Sequence, residues 1–251
     1  MTWVDLDGAV NVRDVGGLPT VDGRTTRSGV LLRSDNLQDL SEADVRLLVE
    51  QLGLRTVLDL RTDGEVELEG PGPLRARPEV AHHHLTLIPH GFDGRAEVTR
   101  AIPDEDAPAH SMAHFYVDYV RDAPANVATA LRVLADPTSR LSVVHCAAGK
   151  DRTGVVVAIA LSLAGVTRDA VVADYALSGE RIGAVRDRLV ASPTYAADVG
   201  PRSLDSMRPH ADNMQRFLDA VDRDYGGPHG LAMAVHVDEE TVDRLRARLL
   251  H

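Results

Sequence analysis

The chain has 251 residues, 44% of them hydrophobic and 26% charged, the composition of an ordinary globular protein that can bury a sizeable core. Its formal net charge of -11 argues against nucleic acid as a partner, because binding to a phosphate backbone requires a basic surface. Its single cysteine excludes an intrachain disulfide framework.

The first residues and the apolar runs bear on targeting. Residues 1–10 contain two aspartates and no basic stretch before an apolar core, so they are not expected to be a signal peptide. The longest nearly apolar run, residues 155–166, is too short to cross a bilayer. We therefore expect no stable membrane insertion and a cytoplasmic location, a reducing compartment that suits a reactive thiolate.

A polar turn comes first along the chain, at residues 11–17 (N-V-R-D-V-G-G). Its paired glycines allow a sharp turn, because glycine adopts positive φ without strain. Two interpretations stay open for the charged residues of this turn. Arg13 and Asp14 form either an exposed ion pair on a structural turn or a pair that supports a functional loop from behind.

The next segments predict a strand and a helix. Residues 30–35 (V-L-L-R-S-D) predict a short strand that runs into a polar loop, and Ser34 and Asn36 are candidate supports of a site. Residues 41–52 begin with Ser-x-x-Asp and carry leucines on one face, a pattern that predicts a capped amphipathic helix.

Two further strands are predicted at residues 56–61 and 80–88. The first ends in Asp59 and Arg61, which we expect to brace a loop rather than to contact a substrate. The second contains three consecutive histidines, residues 82–84. Adjacent side chains on a strand point to opposite faces, so these histidines cannot converge on one ion, and no metal site is expected.

An acidic stretch rich in Gly and Pro follows at residues 89–108, without helical or strand periodicity. It is predicted to be a lid or specificity loop, with a solvated surface insertion as the alternative. Residues 110–122 and 125–136 then have the periodicity of helices.

The segment from Leu141 to Val157 (L-S-V-V-H-C-A-A-G-K-D-R-T-G-V-V-V) predicts a buried strand, a tight loop and a helix. Cys146 and Arg152 bracket five loop residues: Ala147, Ala148, Gly149, Lys150 and Asp151. The amides of such a loop can all turn inward on one small anion, and the dipole of the helix adds to the attraction. The same field favours a thiolate at Cys146, and the guanidinium of Arg152 is a fork that matches a phosphoryl group.

Three other interpretations of this loop are weaker. A nucleotide P-loop needs Ser or Thr after Gly149-Lys150 and a glycine five residues before Gly149, but Asp151 and Val144 occupy those places. A rhodanese-type sulfurtransferase would use a loop one residue shorter. A lone structural cysteine does not account for the charged residues around it.

The C-terminal part is predicted to be helical, with one irregular stretch that is a second candidate lid element, residues 192–207. The predicted helices are 153–165, 168–177 with Thr167 as its cap, 181–191, 213–225, and a last helix capped by Asp238 that runs to Leu250. Neither a repeat nor a domain boundary is visible, so the sequence predicts one α/β domain over residues 1–251.

The spacing C-x5-R, with a histidine before the cysteine and Thr or Ser after the arginine, resembles the cysteine-dependent protein phosphatases. The string H-C-A-A-G-K-D-R-T-G is similar to the bacterial tyrosine phosphatase family that includes secreted mycobacterial and listerial enzymes. The likeness extends to the turn at residues 11–17, where Val12 replaces the usual aromatic residue. It also includes D-L-R-x-x-x-E, which Glu65 completes, and the C-terminal Y-G-x … L-R-x-x-L-L.

This resemblance implies a cysteine-phosphatase-like fold, with a central, mostly parallel sheet flanked by helices, a helical C-terminal portion and one or two lids. It also implies roles for the loop residues. Cys146 would be the nucleophile, and Arg152 with the inward amides would hold the phosphoryl oxygens. His145 would fix the loop, and Thr153 would stabilise the thiolate or assist its departure. Arg13 and Asp14 would lie behind the loop.

The general acid is the least defined role. The chain lacks the W-P-D loop of the wider superfamily, and in the narrower family the aspartate inside the phosphate loop is the usual candidate, here Asp151. Asp93 in the first candidate lid is the rival, and Asp63 is a third candidate. Lys150 beside Asp151 would attract anionic substrates, including inositol phosphates.

The function that the resemblance implies is a metal-independent phosphomonoester hydrolase with a cysteinyl-phosphate intermediate and no cofactor. It would be a protein tyrosine phosphatase, with Ser/Thr and phosphoinositide activity among those that the family suggests. A dedicated phosphoinositide or inositol-phosphate phosphatase and an inactive phospho-binding module stay as alternatives. The expected partners are a phosphoprotein or phosphoinositide substrate and an inorganic phosphate or other oxyanion in the loop. Some relatives are exported without a plain signal, so non-classical secretion stays open.

Overall fold

The structure, a computed structural model, describes residues 2–88 and 111–251. Its strands are β1 (Thr2–Trp3), β2 (Arg13–Asp14), β3 (Leu31–Ser34), β4 (Leu54–Asp59), β5 (Ala81–His84) and β6 (Leu141–His145). In the described residues they form one sheet in the order β1-β2-β3-β6-β4-β5. The four strands from β3 to β5 in this order run parallel, and the short β1 and β2 are antiparallel at one edge. The predicted mostly parallel central sheet is therefore confirmed.

Helices flank this sheet. Their bounds are α1 (Glu42–Arg46, continued by a π-helical turn, Leu47–Gln51), α2 (Asp63–Glu69), α3 (Ser111–Asp122), α4 (Pro124–Ala135), α5 (Asp151–Leu163), α6 (Arg168–Leu177), α7 (Ile182–Ala191), α8 (Ala196–Val199), α9 (Ala211–Tyr225), α10 (Pro228–Ala234) and α11 (Glu239–Leu249). Short 3₁₀ turns lie at Pro73–Ala76, Pro137–Ser139 and Ser178–Arg181. The helical C-terminal portion that the sequence predicted is thus confirmed.

The central strands are apolar at successive positions because both faces of the sheet are covered. Neighbouring residues on a strand point to opposite faces. Val144 of β6 and Leu58 of β4 belong to the larger core, which the sheet shares with α3 to α6 and α9 to α11. Val143 and Val57, one residue earlier on each strand, belong to a second core that includes α1. The two cores hold the strand β6 in place just before the loop that carries the cysteine.

Two predicted strands end earlier than expected, each for a local reason. The segment predicted at 56–61 is strand only to Asp59, because the Asp59 carboxylate accepts the amide of Arg61 (3.0 Å) and turns the chain. The segment predicted at 80–88 is strand only at Ala81–His84. Its partner β4 has ended by then, so the ladder stops after the bond from the Leu85 amide to the Asp59 carbonyl (2.8 Å).

The helix predicted at 153–165 begins two residues earlier, at Asp151. Asp151 and Arg152 therefore lie in its first turn, because the Lys150 carbonyl already accepts the Gly154 amide (2.9 Å) in helical fashion. The helices α2 and α10 were not predicted. Thr167 stands at the start of α6 as expected, but its side chain makes no capping hydrogen bond.

The irregular stretch predicted at 192–207 contains the single turn of α8 and packs on α7. Together they form a small apolar cluster that includes Ile182, Tyr195, Val199 and Met207 and reaches Ala147 of the loop. We call residues 182–207 the cap. Among the described residues, no helix has the length and apolar character needed to cross a membrane.

Candidate active site

Parallel pairing brings three strand ends to one place. His145 at the end of β6 is opposite Ser34 of β3 and Asp59 of β4. Cys146 therefore leaves the sheet at the carboxyl edge of the parallel strands, where α/β folds bind their ligands. Its side chain is 2% exposed and lines a cavity of about 60 Å³ that Arg152 also lines.

The loop after Cys146 holds its carbonyls outward. Three consecutive carbonyls each accept a hydrogen bond from outside the loop: Ala147 from the Asn36 amide (3.0 Å), Ala148 from Asn11 Nδ2 (2.9 Å) and Gly149 from Arg33 Nη2 (3.0 Å). In a trans peptide the C=O and the following N–H point in opposite directions. The amides of Ala148, Gly149 and Lys150 consequently point towards the inside of the loop, as an anion cradle requires.

Gly149 is the one loop position that no other residue can occupy without strain. Its φ is +67°, in the left-handed region, and a Cβ there would lie 2.4 Å from the carbonyl group of Ser34. The loop can therefore lie directly against the end of β3 only because this residue has no side chain.

Glu65 holds the guanidinium of Arg152. Nη1 and Nη2 donate to the two carboxylate oxygens of Glu65 at 2.5 and 2.9 Å, and Nη1 also donates to the Leu60 carbonyl at 3.3 Å. Among the described residues these bonds leave the Nε–H and one Nη2–H of Arg152 for a ligand. Burial opposes the positive charge, but the Glu65 carboxylate outweighs it and raises the pKa of Arg152.

Glu65 is itself fixed by its own helix and by the cap. It forms a capping box with Thr62, whose backbone amide donates to Glu65 at 2.7 Å at the start of α2. The hydroxyl of Tyr195 in the cap donates to it at 3.1 Å. Burial disfavours the carboxylate, but the charge of Arg152 and the hydrogen bonds that Glu65 accepts together outweigh this effect and lower the pKa of Glu65.

His145 is neutral at neutral pH and acts on the loop through its position. Burial lowers its pKa to about 4, against the opposing effect of Asp59. Its Nε2 lies 3.6 Å from Asp59 Oδ1, and its Nδ1 lies 3.4 Å from the Cys146 carbonyl. Asp59 in turn forms an ion pair with Arg61 at 2.6 Å. The strand-end pair thus braces the loop through His145, as expected of Asp59 and Arg61.

Lys150 and Asp151 line the same cavity as Cys146. Lys150 Nζ donates to the carbonyl of Met207 in the cap at 2.7 Å and lies 3.5 Å from Asp151 Oδ2. Asp151 Oδ1 accepts a hydrogen bond from the hydroxyl of Tyr116 at 2.5 Å. The carboxyl group of Asp151 is therefore held from both sides at the edge of the cavity.

The buried Arg13 supports the loop indirectly, by binding the residues that bind it. Its Nε pairs with Asp174 at 3.0 Å and its Nη1 donates to the Asn11 side chain at 3.0 Å. Asp174 also pairs with Arg33 at 2.5 Å, so one buried carboxylate orients both arginines.

Asp14 does not lie behind the loop, and this part of the expectation is corrected. Its carboxylate accepts the amides of Gly16 (2.7 Å) and Gly29 (2.6 Å). Asp14 thus fixes the turn at residues 11–17, whereas its neighbour Arg13 on β2 points the other way, as successive strand residues do.

Thr153 follows Arg152 in the first turn of α5 and is fully buried. Its hydroxyl has no hydrogen-bond partner among the described residues. A buried hydroxyl without a partner is costly, and a thiolate or a bound oxyanion would supply the missing acceptor.

The second candidate lid forms the outer wall of the cavity. Cap residues that line it are Leu189, Tyr195, Val199, Arg202, Ser206 and Met207. Asp63, the third candidate acid, is exposed at the start of α2 and does not line the cavity. Asp93 and the whole of the first candidate lid, residues 89–108, lie outside the described residues. Residues 2–88 and 111–251 bring no three potential metal ligands together.

Sequence reasoning missed most of the residues that hold the loop from outside. Glu65 carried a visible signal, because Thr62-x-x-Glu65 is a capping-box pattern. Asp174, Tyr116 and Tyr175 carried none, since the sequence of a helix does not show which partner a polar side chain meets in the folded chain.

Comparison with known proteins shows the family of this chain. A model of the tyrosine phosphatase family matches residues 4–251. The chain belongs to this family. The predicted resemblance to the bacterial tyrosine phosphatases is confirmed, and with it the class of enzyme.

Curated members of the family show how far the likeness extends. The chain is 28% identical to the triple specificity protein phosphatase PtpB of Mycobacterium tuberculosis, and the alignment covers 98% of each chain. It is 27% identical to a tyrosine-protein phosphatase of Nostoc commune, over 87% of this chain and 73% of the other. It is 32% identical to a putative tyrosine-protein phosphatase of Cupriavidus necator, over 70% and 63%.

Among solved structures, TpbA of P. aeruginosa is similar over 74% of this chain and 88% of its own, with 19% identity and a TM-score of 0.33. A TM-score at this level supports no inference about function. The assignment to the phosphatase family rests on the sequence match.

Proposed function

We propose that this member of the tyrosine phosphatase family is a metal-independent phosphomonoester hydrolase that acts through a cysteinyl-phosphate intermediate. The observation that carries the proposal is that a nucleophile and several oxyanion donors converge on the same cavity. The thiol of Cys146, the inward amides of the loop and the free edge of the Arg152 guanidinium meet at one narrow cavity. A nucleophile opposite a set of oxyanion donors is the arrangement that phosphoryl transfer to sulfur requires.

The first step forms the S–P bond and breaks the P–O bond of the ester. The Cys146 thiolate attacks phosphorus in line, while the amides and Arg152 hold the three equatorial oxygens. A proton moves to the leaving oxygen as the P–O bond breaks. In the second step, water attacks phosphorus, the S–P bond breaks, and the sulfur leaves again as a thiolate next to the Thr153 hydroxyl.

Asp151 is our candidate for the proton donor of the first step and the base of the second. Its carboxyl group is at the edge of the cavity, in the helix turn that follows Cys146. Asp63 is in a less suitable position because it is exposed outside the cavity. Proton transfer by a group so placed contributes about 10²–10⁴ in rate.

Phosphotyrosine in proteins is the substrate class that we propose, with phosphoserine, phosphothreonine and phosphoinositides as further substrates. The support for phosphotyrosine is the family together with the narrowness of the cavity. The support for substrates with more than one phosphate is the charge of the lining, where Lys150 and Arg202 accompany Arg152. A dedicated phosphoinositide phosphatase is the second candidate, and it rests on these three cations.

The central test is Cys146→Ser in an assay with p-nitrophenyl phosphate. We expect at least a 10³-fold loss of kcat with unchanged thermal unfolding, because serine is nearly isosteric but is not ionised at neutral pH. The matched control is Ser142→Ala, a similarly small and buried change on β6, the strand that precedes Cys146.

If the Cys146→Ser variant hydrolysed the substrate as fast as the wild type does, the cysteine mechanism would be refuted. Binding of phosphate without turnover in the wild type would identify a phospho-binding module instead. Rates of phosphate release from phosphotyrosine peptides and from short-chain phosphoinositides separate the two enzyme candidates.

A further inference from the structure

A chain of two tyrosine hydroxyls ends on Asp151. The hydroxyl oxygens of Tyr175 and Tyr116 lie 2.6 Å apart, and the Tyr116 hydroxyl lies 2.5 Å from Asp151 Oδ1. The three residues belong to three helices, α6, α3 and α5. Both tyrosines are fully enclosed, with 0% exposure for Tyr116 and 1% for Tyr175. The contact is therefore built into the packing of the core.

The direction of this hydrogen-bond chain is fixed. Tyr116 has one hydroxyl proton and donates it to Asp151 Oδ1, so the bond between the tyrosines must be donated by Tyr175. Asp151 Oδ1 is thereby turned towards the interior of the protein. The other oxygen, Oδ2, is on the side of Lys150, whose Nζ lies 3.5 Å away and which lines the cavity.

Packing alone does not account for these hydroxyls. Phe217 lies edge-on to Tyr116 in the same cluster, with ring centroids 6.1 Å apart, and fills its place without a polar group. Two buried hydroxyls that bonded only to each other could be replaced by apolar groups at little cost. The bond to a carboxylate at the active site distinguishes this pair from an ordinary core contact.

The tyrosines do not supply protons themselves. Burial, reinforced by the nearby charge of Asp151, raises the pKa of Tyr116 and of Tyr175 well above the ordinary value. Both hydroxyls stay protonated at any working pH, so Tyr116 is a permanent donor to Asp151 whether that carboxyl group is ionised or not.

We propose that Tyr116, oriented by Tyr175, is a positioning residue that makes Asp151 Oδ2 the oxygen that gives and takes the catalytic proton. This inference rests on the proposed function. When the P–O bond of the ester breaks, the proton on Oδ2 moves to the leaving oxygen and a carboxylate remains. The hydrogen bond from Tyr116 to Oδ1 then strengthens, because its acceptor has become charged. In the hydrolytic step, Oδ2 takes a proton from the attacking water and the carboxyl group is restored.

The test compares Tyr116→Phe and Tyr175→Phe with the wild type on two aryl phosphates. p-Nitrophenyl phosphate has a good leaving group that needs little protonation, whereas phenyl phosphate has a poor one. We expect Tyr116→Phe to lower kcat/KM, which reports the step that breaks the P–O bond, about tenfold on phenyl phosphate and less than twofold on p-nitrophenyl phosphate, a part of the ~10²–10⁴ that general acid catalysis provides. Tyr175→Phe should change both rates in the same direction by a smaller factor.

The matched control is Tyr119→Phe, which removes a hydroxyl from a neighbouring ring. Tyr119 is stacked on Tyr116 with centroids 6.1 Å apart but is not part of the hydroxyl chain. We expect the ratio of its rates on the two substrates to equal that of the wild type. Activity on p-nitrophenyl phosphate also reports, for every variant, that the protein has folded.

A double-mutant cycle shows whether Tyr116 acts through Asp151. In an Asp151→Asn background, Tyr116→Phe should cause no further loss on phenyl phosphate, because the group that it positions no longer transfers a proton. A full additional loss in that background, or equal losses on the two substrates in the single variant, would show a structural role and overturn the inference.

Absence of turnover by the wild type would refute the proposed function and the inference together, whereas wild-type turnover with additive losses refutes the inference alone.

Discussion

Replacing Glu65 tests whether this residue acts by orienting the guanidinium of Arg152 or only through its negative charge in the active site. It is 1% exposed and binds both terminal nitrogens of Arg152. In Glu65→Gln, the amide oxygen can replace Oε2 and keep the bonds from Arg152 Nη1 and the Thr62 amide. The amide nitrogen then replaces Oε1 and meets Arg152 Nη2 donor to donor, at a site where the present distance is 2.9 Å.

The expected loss of stability in Glu65→Gln follows from the hydrogen bond and the charge pairing that the substitution removes. A charge-assisted hydrogen bond contributes about 1.5–3 kcal/mol, and leaving a buried charge unpaired costs about 3–5 kcal/mol. Gln retains one of the two bonds, so we expect about 3 kcal/mol of lost stability, or a decrease of about 6–12 °C in Tm for a chain of this size. A guanidinium that no longer faces the phosphoryl oxygens should lower kcat by about 10²–10³.

The assay is steady-state hydrolysis of p-nitrophenyl phosphate together with thermal unfolding. Because Glu65→Gln removes a negative charge from the cavity, KM and the inhibition constant of phosphate should stay unchanged or fall while kcat falls. The matched control is Glu67→Gln, the same change at an exposed position of α2. A variant with weaker phosphate binding and wild-type kcat would refute the view that Glu65 orients Arg152 for the transition state.

Three further predictions follow from the site. Gly149→Ala should abolish activity, because its Cβ would lie 2.4 Å from the Ser34 carbonyl group, whereas Gly29→Ala, with a similar positive φ but open space, should retain turnover. EDTA should leave hydrolysis unchanged and vanadate should inhibit it; a metal requirement would contradict the thiolate mechanism. The pKa of His145 is lowered from 6.5 to about 4 in the fold, so the unfolded chain binds more protons between these values. The free energy of unfolding in urea should therefore be full above pH 6.5 and fall by up to about 3 kcal/mol towards pH 4, and His145→Gln should flatten this dependence.

The features that could be predicted from the sequence are those encoded by near neighbours. The strand–loop–helix segment around Cys146 is continuous in sequence, so its apolar periodicity and the seven residues from Cys146 to Arg152 were sufficient to predict it. Ser41 and Asp238 were recognised as helix N-cap residues, because each accepts the backbone amide of a residue only three positions later. Hydrogen bonds between residues that are close in sequence can be recognised from the residue types in a short stretch of the chain.

The rest depends on contacts between distant segments. Asp174 binds Arg13 across 161 residues, and Tyr175 reaches Tyr116 across 59. The sequence of α6 contains both Asp169 and Asp174 and does not show that Asp174 is the buried one, which must therefore have a partner. Asp14 shows the opposite case, since its place beside Arg13 suggested a shared role that the alternation of a strand rules out.

Apart from Arg152, the oxyanion donors that we propose are main-chain amides, and within the loop only a substitution by proline would remove one of them. Their aim is set by Asn11, 137 positions before the carbonyl that it holds, and by Arg33, 116 positions before its own. Random mutagenesis for loss of turnover should consequently return variants that fold but no longer bind phosphate. Their substitutions should lie near the N-terminus, far in sequence from the cysteine. To change the turnover of this enzyme, one would therefore redesign Asn11 and Arg33 rather than the loop itself.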